Sequence, residues 1–155
     1  MSAAFITKVA LKDFCVEYLV MKKDKFYRIT FTEEQLKLVS RAVEDWHRFL
    51  CGQCEMTHAT AYAKEVGKVR KLLNNEVKSL VVPELSHNES YDWSGIHCDN
   101  EFKRKDIAMS YMIYREILHY NATHDGECKS WNVYNSETLT CPEQGPLIKI
   151  EEIKE

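Results

Sequence analysis

From Phe14 to Val20 the even positions Phe14, Val16, Tyr18 and Val20 are apolar and Glu17 lies between them, the two-residue period of a half-buried strand. Lys22-Lys23-Asp24-Lys25 breaks the run, and Phe26 to Phe31 alternates again around Arg28 and Thr30. Together they predict an antiparallel hairpin. Phe5 to Leu11 fits either a third strand or a helical turn. Thr32-Glu33-Glu34-Gln35 then reads as a capping box, in which the Thr32 hydroxyl takes a first-turn amide and Gln35 reaches back. Leu36, Val39, Val43, Trp46 and Leu50 step at three and four residues behind it and predict an amphipathic helix, whose period continues past Gly52 through Cys54 and His58. A second helical stretch runs through Val66, Val69, Leu72, Leu73, Val77 and Leu80 and closes at Pro83. Residues 83–100 read as a polar, aromatic-containing loop. Asp99 or Asn100 caps a last helix carrying Ile107, Tyr111, Tyr114 and Leu118. Short β signals return at Trp131 to Tyr134 and Leu147 to Ile153, around Pro142, Gly145 and Pro146.

The pattern predicts an α+β fold, a helical core of about three helices with an N-terminal antiparallel hairpin and a short C-terminal β segment. It forms a single domain over residues 1–155, with a hairpin region at 1–31, the helical core with loop 83–100 at 32–121, and an extension at 122–155. At 155 residues the chain is long enough for an unaided core. Met1 to Lys12 carries Thr7, Lys8 and Lys12, and apolar residues never run long enough for a span, so neither a signal peptide nor a membrane segment is expected. The six cysteines are accordingly expected to be reduced, buried thiols in a cytosolic protein. The Asn-x-Ser/Thr triplets at Asn88 and Asn121 then read as chance matches. The net charge of −3, with basic residues scattered among acids, argues against duplex nucleic acid but leaves room for a small anionic ligand.

Cys51-Gly52-Gln53-Cys54, flanked by His47 and His58, is the one metal-like spacing. On one continuous helix the two histidines would lie about 16 Å apart, too far to share an ion. Cys51, read as mid-helix, lacks the helix N-terminus that makes a Cys-x-x-Cys thiol reactive. No nucleophile motif or phosphate-binding glycine loop occurs. A catalytic centre, a metal and a cofactor are therefore not expected. Trp46, Tyr111 and Tyr114 at helical spacing read as core. Tyr91 and Trp93, set in the polar loop near Lys103 and Arg104, read as ligand-facing rings able to stack a base beside phosphate-neutralising cations.

Thr32-Glu33-Glu34-Gln35-Leu36 running into Trp46-His47-Arg48-Phe49-Leu50-Cys51-Gly52-Gln53-Cys54-Glu55, then Ser90-Tyr91 with Gly95-Ile96, then Tyr111-Met112-Ile113-Tyr114, resembles small uncharacterised accessory proteins of tailed phages and prophages. Those show an Arg-x-x-x-Gly-Gln helix, a Ser-Tyr-Gly-Ile loop and a closing amphipathic helix; here Asp92-Trp93-Ser94 interrupts the loop motif. The match covers Thr32 to Tyr120. The resemblance implies a phage or prophage origin, a location in the host bacterial cytosol, and Arg48, Gln53, Ser90 and Tyr91 as the polar positions held in common. Combined with the residue chemistry, the expectation is a non-catalytic protein that sequesters a host nucleotide immune signal. Its ligand-binding residues would be Arg48, Gln53, Ser90, Tyr91, Trp93, Lys103 and Arg104, in a homo-oligomer. The alternatives are a protein-binding inhibitor of a host factor, or a nucleotide-processing enzyme using His97 or His119 as base.

Overall fold

A computed structural model describes residues 27–124 and 136–152 of the chain. The chain divides between Thr30 and Phe31 into two units. Of the first, only residues 27–30 are described, and they are irregular. In the second, α1 (Glu33–Leu50), α2 (Thr57–Thr60) and α3 (Val66–Leu72) are followed by a π-helical turn (Leu73–Val77), α4 (Lys78–Val81), α5 (Glu101–His124) and a 3-10 turn (Pro142–Gln144). The main packing is α1 against α5.

The capping box starts α1: the Gln35 amide donates to Thr32 Oγ1 at 3.3 Å and the Thr32 amide donates to Gln35 Oε1 at 2.8 Å. Glu33 and Glu34 in the first turn, and Arg48 in the last, match the signs of the helix dipole. The helix ends at Leu50 instead of continuing to His58. Gly52 takes φ +85°, a left-handed turn that costs a residue with a Cβ about 1 kcal/mol or more, and a Cβ there would lie 3.1 Å from both Val82 and Leu85. Cys51 is thus the helix C-cap, not a mid-helix residue.

That stop folds the chain back on α1. The Asp45 carboxylate accepts the amides of His58 (3.1 Å) and Ala59 (2.7 Å), capping α2 from the neighbouring helix. Glu44 meets His58 at 3.1 Å. These contacts explain why the buried face of α1 holds Glu44 and Asp45 beside Leu50. Trp46, expected in the core, is turned outward at 48% exposure and stacks on Phe49 at 6.1 Å, while Tyr111 and Tyr114 are buried as expected.

Asn100 Oδ1 accepts the Lys103 amide at 3.1 Å and caps α5. The cations of its first turn find acceptors: Lys105 pairs with Glu101 at 2.7 Å, Lys103 with Glu84 at 3.4 Å and Arg104 with Glu143 at 3.7 Å. Leu50, Cys51, Val82, Tyr91, Cys98 and Ile107 form one buried cluster, joining the ends of α1, α4 and the 83–100 loop to α5. Gly95, at φ +65°, lies so close to Ile107 that a Cβ would sit 3.0 Å from its Cδ1.

The α+β expectation is overturned: the described residues hold helices and no strand. Tyr27 to Phe31, the second arm of the expected hairpin, is irregular, as are the described residues 147–152 of the C-terminal β segment. Alternation specifies a strand only when another strand completes its hydrogen-bond ladder, and none lies among the described residues. The C-terminal stretch is instead seated on α5 through the 3-10 turn, where Gln144 is buried. Phe5 to Leu11, Phe14 to Val20 and Trp131 to Tyr134 lie outside the described residues. Among the described residues, no helix is long and apolar enough to cross a membrane.

Candidate functional site

Where α1 turns at Gly52, the chain leaves a polar cavity of about 410 Å³ between that turn, the π turn and the 87–90 segment. Arg48, Gln53 and Ser90, three of the residues singled out from the sequence, line it. They form a chain of contacts: Arg48 Nη1 donates to Gln53 Oε1 at 3.1 Å, and Gln53 Nε2 donates to Ser90 Oγ at 3.4 Å. Arg48 also pairs with Glu44 at 2.9 Å.

Lys78 lines the same cavity and is only 5% exposed. Its ammonium donates to the His87 carbonyl at 2.8 Å and to that of Glu89, and among the described residues it has no carboxylate ion pair. A buried ammonium is stabilised by negative groups near it; the Glu89 carboxylate already acts on it through space, and a further negative group entering the cavity would add to that stabilisation. Asn74 and Glu55 form the opposite wall, with Asn74 Nδ2 donating to Glu55 Oε1 at 3.0 Å. Asn74 stands in the π turn immediately before Lys78, and single π turns inside helices recur at functional sites. Glu89 accepts the Ser86 amide at 2.8 Å, which holds its carboxyl below the usual range.

Tyr91, Trp93, Lys103 and Arg104 are placed elsewhere. Tyr91 is 7% exposed in the core cluster; its hydroxyl donates to Glu84, and Lys103 sits 5.2 Å from its ring centroid. Burial, with the Glu84 contact second, raises its hydroxyl pKa strongly. Trp93 packs on Tyr111 at 4.9 Å. Arg104 Nη1 donates to the Cys98 carbonyl at 3.0 Å. These four side chains tie the loop and the C-terminal segment to α5, and no Phe, Tyr or Trp ring lines the polar cavity. A second cavity of about 410 Å³, beside Ser40, Glu44, His58 and Leu118, receives none of the seven.

One Cys–His contact exists near the site. His47 Nδ1 donates to the Ile107 carbonyl at 3.1 Å, which leaves Nε2 facing Cys51 Sγ at 3.7 Å. The pair is not an activated nucleophile. Burial lowers the imidazole to about 4 and raises the thiol to about 12, so both groups are driven to their neutral forms. Cys54 and Cys98 are likewise buried, and no metal-capable cluster gathers among the described residues. His97 and His119, the candidate bases, do not line the cavity.

Lys78, Asn74 and Glu55 escaped the sequence reading because a lysine on an amphipathic helix looks solvent-facing until its neighbours are known. The one sequence signal was the polar run His87-Asn88-Glu89-Ser90 directly ahead of Tyr91. No protein-family model matches the chain, and no curated protein or solved structure matches it.

Proposed function

We propose that the protein is a non-catalytic binding protein that takes a small phosphorylated ligand of the nucleotide class into the Arg48–Lys78 cavity and thereby withdraws it from solution. Given the resemblance to phage accessory proteins, the biological role is sequestration of a host nucleotide signal in the bacterial cytosol. The observation that carries the reading is Lys78, a buried cation that forms no direct carboxylate ion pair among the described residues, opening onto a ligand-sized polar cavity beside Arg48. The side amides of Asn74 and Asn88 supply the donor–acceptor pairs that read base edges. Recognition is therefore polar, and the stacking assigned to Tyr91 and Trp93 has no part in it.

The test is thermal unfolding of the full chain against a nucleotide panel. A bound nucleotide at a hundred times its dissociation constant stabilises by about 2.7 kcal/mol, a Tm rise of several degrees at this chain length. Lys78→Met is expected to abolish the rise. A flat panel, or a rise that survives Lys78→Met, overturns the reading.

A second reading, a protein-binding inhibitor, is favoured by one observation. No residue of α3 is buried, and Tyr62, Leu72 and Leu80 are exposed at 83%, 56% and 82%. Exposed apolar side chains mark an interaction surface where they gather into one patch. Stoichiometric capture of one host protein, lost on Leu72→Ser with Leu80→Ser, would favour it.

A further inference from the structure

We infer that the ligand of this cavity is a nucleoside monophosphate with an intact ribose diol, rather than a polyphosphate or a dinucleotide. The inference rests on the proposed binding function and narrows its chemistry. Positive charge in the cavity is not spread evenly. Lys78 is buried and forms the floor, and Arg48 beside it is already shared with Glu44 at 2.9 Å. Glu55 and Glu89, by contrast, are exposed at the rim, and Glu89 is held ionised by the Ser86 amide. One phosphate on the floor meets two cations, whereas a second or third phosphate would extend past carboxylates of its own sign.

The rim acids suit hydroxyl donors instead. Glu55 uses Oε1 to accept from Asn74, which fixes the carboxylate, and its other oxygen has no partner among the described residues. A carboxylate so oriented accepts from a vicinal diol through charge-assisted hydrogen bonds. Size agrees: about 410 Å³ lies near the small end of the roughly 300–1,000 Å³ range of ligand sites, room for one nucleotide rather than two.

The experiment is calorimetric titration of the full chain with adenosine, guanosine, cytidine and uridine 5′-monophosphates. Adenosine triphosphate, a cyclic dinucleotide and 2′,3′-dideoxyadenosine monophosphate complete the set. At least one monophosphate is expected to bind about tenfold or more tightly than the triphosphate and the cyclic dinucleotide. Loss of the diol is expected to weaken binding about tenfold in the unsubstituted protein and hardly at all in Glu55→Gln. Glu55 is exposed, so this variant reads the site even where Lys78→Met compromises folding. Tighter binding of the triphosphate or the cyclic dinucleotide, dependent on Lys78, would overturn the inference and leave the binding function standing. Equal diol dependence with and without Glu55 would overturn it too. No binding by any nucleotide would overturn both.

Discussion

Acid should destabilise this protein as pH falls below 6.5, and His47 is the reason. Its imidazole is enclosed by Tyr111 and Tyr114, with ring centroids 5.6 and 5.3 Å away. Burial is the main cause that lowers it from 6.5 to about 4, and the bond to the Ile107 carbonyl offsets this only in part. In the unfolded chain the same histidine protonates as pH falls through 6.5, while in the folded chain it stays neutral until about 4. The unfolded state thus binds more protons throughout that window. The stability contribution is complete above 6.5 and is lost progressively as pH falls towards 4. Integrating over proton binding gives a loss of about 2 kcal/mol between about pH 8 and about pH 5, and about 3 kcal/mol once both states are protonated. Glu84, Glu89 and Glu101 are all held below 4.5, so they titrate beneath the upper part of this range. The assay is urea unfolding at fixed ionic strength across the window, for the unsubstituted chain and for His47→Gln. The glutamine amide can still donate to the Ile107 carbonyl but cannot take up a proton. The difference between the two curves should grow by about 2 kcal/mol on acidification. Parallel curves would refute the burial of a neutral imidazole at this position.

Gly95→Ala should cost about 2–4 kcal/mol, because φ is +65° and the new Cβ would meet Ile107 Cδ1 at 3.0 Å. Gly67→Ala, with open space around a helical glycine, should instead stabilise by about 0.5–1 kcal/mol; urea midpoints of equal displacement in the same direction would contradict the geometry. Asp45→Ala should cost about 1–3 kcal/mol by leaving the His58 and Ala59 amides without their acceptor, and should raise hydrogen exchange at those two amides first. Cys51 should resist alkylation until the chain unfolds, since its thiol is 2% exposed and raised to about 12; peptide mapping that found it labelled in the folded protein as fast as the half-buried Cys141 would contradict this.

Much of the helical layout is local and therefore legible in the chain. Thr32 and Gln35 cap α1 as their spacing demands, Asn100 caps α5, and Ile107, Tyr111 and Tyr114 repeat on one face and are buried together. Where the reading failed, the deciding partner was distant in sequence. Alternation at Tyr27–Phe31 and after Leu147 looks like strand, yet no second strand among the described residues completes a ladder. Trp46 belongs to an apolar stripe, but the acids and histidine one step round the helix have partners on α2 and α5 and take the buried face.

The site divides in the same way. Arg48 and Gln53 lie five residues apart and meet only because α1 stops at the Gly52 turn, which the continuous helical period did not foretell, and Ser90 joins them through a single contact. Sequence by itself determined the starts of α1 and α5, the charge balance and the chemical types available for binding, because these depend on near neighbours. Tertiary structure decided that Gly52 ends α1 against Val82 and Leu85, that Tyr91 is core, and that Lys78 is a buried cation in a cavity. Each of these is a matter of desolvation and contact between segments far apart in the chain, quantities that no local pattern encodes.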